Sequence, residues 1–246
     1  MVELTGKRAL ITGASRGIGA AIAKELAAKG ADVAITYERS AERAAEVVRV
    51  IEGEGRRGFA LQADSADPAA LKSAVDEAAT KLGGLDILVN NAGIGRVGPI
   101  TELSLADIDA LLNVNVRAVV LASQAAIPHL GQGGRIISIG STLAERVPFA
   151  GSTVYAMTKS ALHAFTRGLS RELGPQGVTV NLVQPGSIDT DMNPASGEQA
   201  DQLRALTALG RYGKPEEIAA VVAFLASPAA ALITGAMITA DAGFSA

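Results

Sequence analysis

The chain has 246 residues, 48% of them hydrophobic and only 3% aromatic, with a net charge of -3 and no cysteine. That length suits one large α/β domain, and an aromatic-poor core of Ala, Val, Ile and Leu suits helices packed closely on a parallel sheet. The charge leaves no basic field for nucleic acid or anionic lipid. The lack of cysteine excludes disulfides and thiolate catalysis and favours an intracellular, cytoplasmic setting.

Strand-like apolar runs fall at 8–12, 32–37, 58–63, 85–90, 134–140, 177–183 and 236–240. Amphipathic segments lie between them at 17–29, 41–53, 68–82, 104–130, 153–173 and 215–227. Asp67-Pro68 and Lys214-Pro215 mark helix starts, and Gly30, Gly83-Gly84 and Gly174-Pro175 mark stops. Alternation over the whole chain predicts right-handed crossovers and one doubly wound parallel sheet covered on both faces, a single domain over 1–246. Residues 218–240 carry no charge and are long enough to cross a bilayer. Ser227-Pro228 and Thr234-Gly235 divide them, so a buried helix and a buried strand are expected, with no membrane partner. The N-terminus lacks the apolar core of a signal peptide. The one irregular stretch, 186–214, is long enough to be a substrate-covering loop. His129 and His163 do not stand at a metal-ligand spacing with carboxylates, so no metal site is expected.

Gly13-Ala14-Ser15-Arg16-Gly17 admits two readings. As G-x-S-x-G it matches the elbow that exposes a nucleophilic serine. As a glycine turn it opens a helix at Gly17, whose unpaired N–H groups and positive dipole end suit a phosphate. The elbow requires a later acid and then a histidine from a loop, whereas both histidines fall within predicted helices. Gly13, Gly17 and Gly19 permit the tight turn, close phosphate approach and close helix–sheet packing of a cradle, which is the favoured reading.

Further motifs follow in order: Thr12-Gly13-Ala14-Ser15-Arg16-Gly17-Ile18-Gly19, Asp64, Asn90-Asn91-Ala92-Gly93, Asn115, Ser141, Tyr155-Ala156-Met157-Thr158-Lys159, and Pro185-Gly186 leading to Thr190. Over essentially its full length the sequence resembles the short-chain dehydrogenase/reductase family, and most of all its 3-oxoacyl-reductase-like branch. The resemblance implies a Rossmann-type fold, a nicotinamide cofactor and a homotetramer. It departs from the family at Asp241-Ala242-Gly243, where Asp-Gly-Gly is usual.

The end of the second strand decides the cofactor. Tyr37 takes the place of the family's NAD-selecting acid, and Arg16, Arg39 and Ser40 offer phosphate contacts, so NADP(H) is favoured over NAD(H). Glu38 is the contrary sign, since a shift of one residue would make it a ribose ligand. The resemblance gives Asp64 to the adenine and Asn91, Ala92 and Gly93 to the adenosine side. It gives Ile188 and Thr190, after Pro185-Gly186, to the carboxamide.

Tyr155 and Lys159 are four residues apart, on one face of a predicted helix. A neighbouring ammonium lowers a phenol's pKa, so Tyr155 is expected to donate or remove a proton near neutral pH. The resemblance adds Ser141, with Thr142 as the rival, to hold the substrate oxygen. It also has Lys159 grip the nicotinamide ribose and Asn115, rather than Asn113, anchor a proton relay. His163 is assigned to an interface or the surface. The expected reaction is hydride transfer between NADP(H) and a small to medium ketone or secondary alcohol. Three alternatives stay open: a nucleotide sensor without turnover, a serine hydrolase using Ser15, and an isomerase or dehydratase with a tightly held cofactor.

Overall fold

The computed structural model describes residues 3–246. Seven strands, β1 (Arg8–Ile11), β2 (Asp32–Tyr37), β3 (Gly58–Gln62), β4 (Ile87–Asn90), β5 (Arg135–Ile139), β6 (Thr179–Pro185) and β7 (Met237–Ala240), form one sheet in the order β3-β2-β1-β4-β5-β6-β7. Every pairing is parallel. β1, β4, β5 and β6 are almost wholly buried, which is why they read as unbroken apolar runs rather than alternating ones. The order reverses between β1 and β4, and such a switch point opens a crevice at the C-terminal ends of the strands.

Helices α1 (Gly17–Ala28), α2 (Ala41–Gly53) and α8 (Pro215–Ala226) bury Ile22, Leu26, Val47, Ile51 and Val222 against one face. On the other, α3 (Pro68–Leu82), α5 (Ala118–Ala126) and α6 (Thr153–Leu173) bury Leu71, Val75, Ala122 and Leu169. The start signals act as expected: the Asp67 carboxylate accepts from the N–H groups of Ala69 and Ala70 at 2.8 and 3.2 Å. At α8 the Glu217 carboxylate accepts from Lys214 N at 2.8 Å and pairs with Arg211, which together pull its pKa down to about 2. The stretch 218–240 is divided at Ser227 into helix and strand.

Two expectations change. Residues 104–130 are not one regular helix: α4 (Leu105–Leu112) passes into a π-helical turn, Asn113–Arg117, before α5, and Ile127–His129 closes as a 3-10 turn. Leu105–His129 is long and apolar enough by composition to cross a membrane, but it packs on α3 and α6 as a core element. The irregular stretch 186–214 contains a short helix, α7 (Ala200–Ala205).

Candidate active site

The glycine turn follows β1 and is tied to both neighbouring strands. Gly13 N donates to Thr36 Oγ1 at 3.0 Å and Ala14 N to Thr36 O at 2.9 Å. The Thr12 hydroxyl accepts from Asn91 N and Ala92 N, each at 3.1 Å, and Asn91 Nδ2 donates to the carbonyls of Thr12 and Gly13 at 2.9 and 3.0 Å. Gly13 has φ +63, and a β-carbon there would lie 2.9 Å from Ala92 Cα. At Gly19 a β-carbon would lie 2.4 Å from Asn91 Nδ2. Only glycine lets these segments meet.

Helix α1 begins on this turn with no side-chain cap and no acid in its first turn. Its leading N–H groups therefore face the crevice without a protein partner, as a phosphate site requires. Thr190, on the loop after β6, crosses above it: a β-carbon on Gly17 would stand 3.5 Å from Thr190 Cγ2. Ile188 is buried and Thr190 half-buried.

Across the crevice, α6 presents Tyr155 and Lys159. Lys159 is 5% exposed, and its ammonium donates to Ile139 O at 3.0 Å. Burial brings its pKa down to about 8. Ser141, at the end of β5, caps the 3-10 turn Thr142–Ala144 by accepting from Leu143 N at 3.2 Å. That contact uses a lone pair and leaves the hydroxyl proton free. The Ser141 hydroxyl lies beside the Tyr155 phenol. Burial raises the phenol pKa above its ordinary value, and the neighbouring Ser141 hydroxyl opposes the rise. The expected lowering by Lys159 is therefore corrected. The ammonium lies 5.9 Å from the Tyr155 ring centroid, engaged with a carbonyl, and desolvation outweighs it.

Asn115 is fully buried in the π-helical turn. Its Oδ1 accepts from Ile94 N at 2.9 Å, and its Nδ2 donates to Ile94 O at 3.0 Å and Thr158 Oγ1 at 3.1 Å. The widened turn places this amide between the 91–95 loop and α6, a frequent use of π-bulges at functional sites. A β-carbon on Gly93 would stand 3.3 Å from Lys159 Nζ and 3.4 Å from Asn115 Oδ1. The bare glycine thus leaves a polar recess between the two side chains.

Residues 13–245 match the profile of the family described as enoyl-(acyl carrier protein) reductase. The chain is 62% identical to a short-chain dehydrogenase from Burkholderia cenocepacia J2315 solved in complex with NADP, with a TM-score of 0.98 and coverage of 99% of this chain and 100% of that one. It is 48% identical, over 100% of both chains, to the cyclic-di-GMP-binding biofilm dispersal mediator protein of Escherichia coli K12. It is 40% identical to a 3-oxoacyl-(acyl-carrier-protein) reductase of Staphylococcus aureus, over 96% of this chain and 97% of that one. The chain belongs to the short-chain dehydrogenase/reductase family. It is an oxidoreductase of this NAD(P)-dependent class, similar to its 3-oxoacyl-reductase branch.

Against that family's pattern, the structure brings Ser141, Tyr155, Lys159 and Asn115 to one wall of the crevice. Gly13, Ser15, Gly17, Ile18, Gly19, Asn91, Ala92, Gly93, Ile188 and Thr190 lie at its floor and opposite rim. Tyr37 ends β2 half-buried, and Ser40 precedes α2 without capping it. Asp64 is exposed and accepts from Ala66 N at 2.8 Å. Thr142, the rival to Ser141, is turned away and donates to Asp241 at 2.9 Å. Arg39 is not gathered into the crevice: its side chain is 86% exposed and pairs with Glu38 at 2.7 Å. Arg43, which the sequence reading missed, stands there instead. Asp191 accepts from Arg43 at 2.6 Å and from Arg16 at 3.2 Å, which holds its carboxyl below the ordinary range. Arg43 lies in the first turn of α2, a position without a motif to mark it. His163 is half-buried and bonds Gln184 Oε1 at 2.6 Å. His129 bonds Asp76 at 2.8 Å, so both histidines are committed away from Ser15 and the serine elbow has no base.

Proposed function

We propose that the protein transfers hydride between NADP(H) and a ketone or secondary alcohol of small to medium size. One observation carries the reading: the Ser141 hydroxyl and the Tyr155 phenol stand beside the buried Lys159, across a crevice from an uncapped helix N-terminus. The cofactor, when bound, supplies the hydride that no side chain can provide. The first turn of α1, with Ser15 and Ile18, would hold its phosphates. Lys159 and Asn115 frame the recess over Gly93 that receives the ribose end, and Ile188 and Thr190 the carboxamide.

In ketone reduction, Ser141 donates its free proton to the substrate oxygen and fixes it beside Tyr155. Tyr155, kept protonated by burial, then gives its proton to that oxygen as negative charge develops there. Lys159 would return a proton to the phenol through a relay anchored by Asn115. In alcohol oxidation the same proton runs the other way. Val97, Val147, Phe149 and Met192 expose apolar surface on loops around this end of the crevice, which suits an organic ketone over a charged metabolite. Loop 186–214 would act as the cover within a single 1–246 unit.

Arg16, and Arg43 beside it, support NADP(H) over NAD(H), each charge-assisted phosphate bond contributing ~1.5–3 kcal/mol. Exposed Leu105, Leu112 and Met157 on α4 and α6 fit burial in a homotetramer, and a chain without cysteine fits a reducing, cytoplasmic setting. A pure nucleotide sensor, the reading suggested by the E. coli relative's name, fits less well. A sensor without turnover has no use for Ser141, Tyr155 and the buried Lys159, which stand together at the crevice.

Paired fluorescence titrations with NADPH and NADH, followed by a ketone panel, test the proposal. NADPH should bind at least ten times tighter, and Arg16→Ala should narrow the gap. Equal affinity would return the ribose contact to Glu38. Binding without turnover of any ketone would leave the sensor reading standing.

A further inference from the structure

The segment after β7 meets the active site at Thr142, whose hydroxyl contacts both Asp241 and Ser245. Asp241 is 9% exposed. Its carboxylate accepts from the Thr142 hydroxyl at 2.9 Å, from Gly243 N and Ser245 N, each at 2.9 Å, and from the Ser245 hydroxyl at 2.7 Å. Burial works against the charge, but these bonds outweigh it and keep the carboxyl ionised below its ordinary pKa. Ala242 is held at φ +56, the one non-glycine residue with positive φ among those described. Such a conformation persists only where its surroundings over-determine it. Phe244 is buried, with the Arg146 cation 5.6 Å from its ring centroid and bonded to its carbonyl. On its other side Asp241 presses on Gly186, where a β-carbon would meet Asp241 Cα at 2.7 Å.

The contact on Thr142 is the informative one. Thr142 opens the 3-10 turn whose second N–H, on Leu143, fixes the Ser141 hydroxyl. Anything that pins Thr142 therefore sets where the Ser141 proton points. We propose that Asp241 is a positioning residue for Ser141, acting through the hydroxyl of Thr142. The inference rests on the role given to Ser141 above. It assigns a function to the C-terminal turn at the place where the sequence departs from its family's Asp-Gly-Gly.

The test is a double-mutant cycle of Thr142→Val with Ser141→Ala, with Thr142→Ser as the conservative control. The readout that needs no substrate is the 13Cζ resonance of Tyr155 in tyrosine-labelled protein, assigned with Tyr155→Phe; the chain has only 3 tyrosines. Ser141→Ala should shift that resonance, and Thr142→Val should shift it the same way. Thr142→Ser should leave it in place, and Thr142→Val should add nothing in the Ser141→Ala background. With ethyl 3-oxobutanoate as the ketone, Thr142→Val should lower kcat about five- to tenfold with KM and NADPH affinity within twofold, a factor that vanishes in the Ser141→Ala background. Asp241→Asn, which keeps the shape of the turn, should behave like Thr142→Val and serves if the valine variant does not fold. A folded Thr142→Val protein with an unmoved resonance, or equal kcat losses in both backgrounds, overturns the proposal. A Ser141→Ala enzyme at full rate instead overturns the role of Ser141 itself, and the link with it.

Discussion

Lys159 carries its charge in a place that resists it, and replacing it with methionine should make the cofactor-free protein more stable while it loses activity. The folded ammonium titrates at about 8 where the free side chain titrates at 10.5, because burial strips its water and no carboxylate replaces it. At pH 7 the folded state therefore carries a penalty of about 3 kcal/mol for this one charge. Methionine fills the same volume without the charge, and gives up the bond to Ile139 O, about 1–2 kcal/mol. Lys159→Met should thus gain about 1–2 kcal/mol at pH 7. The sign with pH is fixed by linkage. Between the folded and unfolded pKa values the unfolded chain binds the extra proton, so wild-type stability rises through this window. The advantage of the variant should fall by about 2–3 kcal/mol between pH 7 and pH 10 and end in a deficit. Urea denaturation of both proteins at pH 7, 8.5 and 10, without nucleotide, measures this. A variant less stable at pH 7, or a difference that does not change with pH, would refute the burial argument.

Gly19→Ala should raise the Kd for NADPH at least tenfold and cost about 1–3 kcal/mol, because the new methyl collides with Asn91 Nδ2, Ala14 Cα and Gly13 O; fluorescence titration and thermal melting check the two effects. Ala242→Gly should stabilise the protein by about 0.5–1 kcal/mol by relieving the left-handed backbone, seen as a rise of roughly 1–4 °C in Tm; no rise would mean that the turn holds no strain. The two directions of catalysis should respond oppositely to pH: with the Tyr155 pKa raised, reduction runs at neutral pH and falls as the phenol ionises, while oxidation climbs over the same range. Parallel profiles in both directions would take the proton step away from Tyr155.

The strand–helix alternation was legible because β1, β4, β5 and β6 are buried on both faces and their apolar runs end at glycine, proline or a capping acid. The placing of Tyr155 and Lys159 together was legible for a similar reason: they share a helix, so spacing alone puts them on one face. What escaped the sequence depends on how segments distant in the chain meet. A helix period drawn through 104–130 cannot show that the amide of Asn115 bonds Ile94 and Thr158 and opens the helix into a π turn. Arg39 sits in the expected register after β2, yet its neighbour Glu38 takes it, and the cation facing the crevice comes from Arg43. The pairing of Asp191 with Arg16 spans 175 residues, and no local pattern anticipates it.

The same distinction explains the phenol. Spacing on a helix places the lysine near the tyrosine but does not say where its ammonium points, and here the carbonyl of Ile139 claims it. Two influences then act on the Tyr155 proton, burial that retains it and the neighbouring Ser141 hydroxyl that eases its loss. Burial belongs to the crevice as a whole and varies little with any single side chain. The second influence hangs on one hydroxyl, held by Leu143 N and, through Thr142, by the buried carboxylate of Asp241. The readily adjusted half of the balance is therefore set by residues 141–143 and 241–245 rather than by the helix that carries the tyrosine. Substitutions in that C-terminal turn should change proton delivery more than nucleotide affinity.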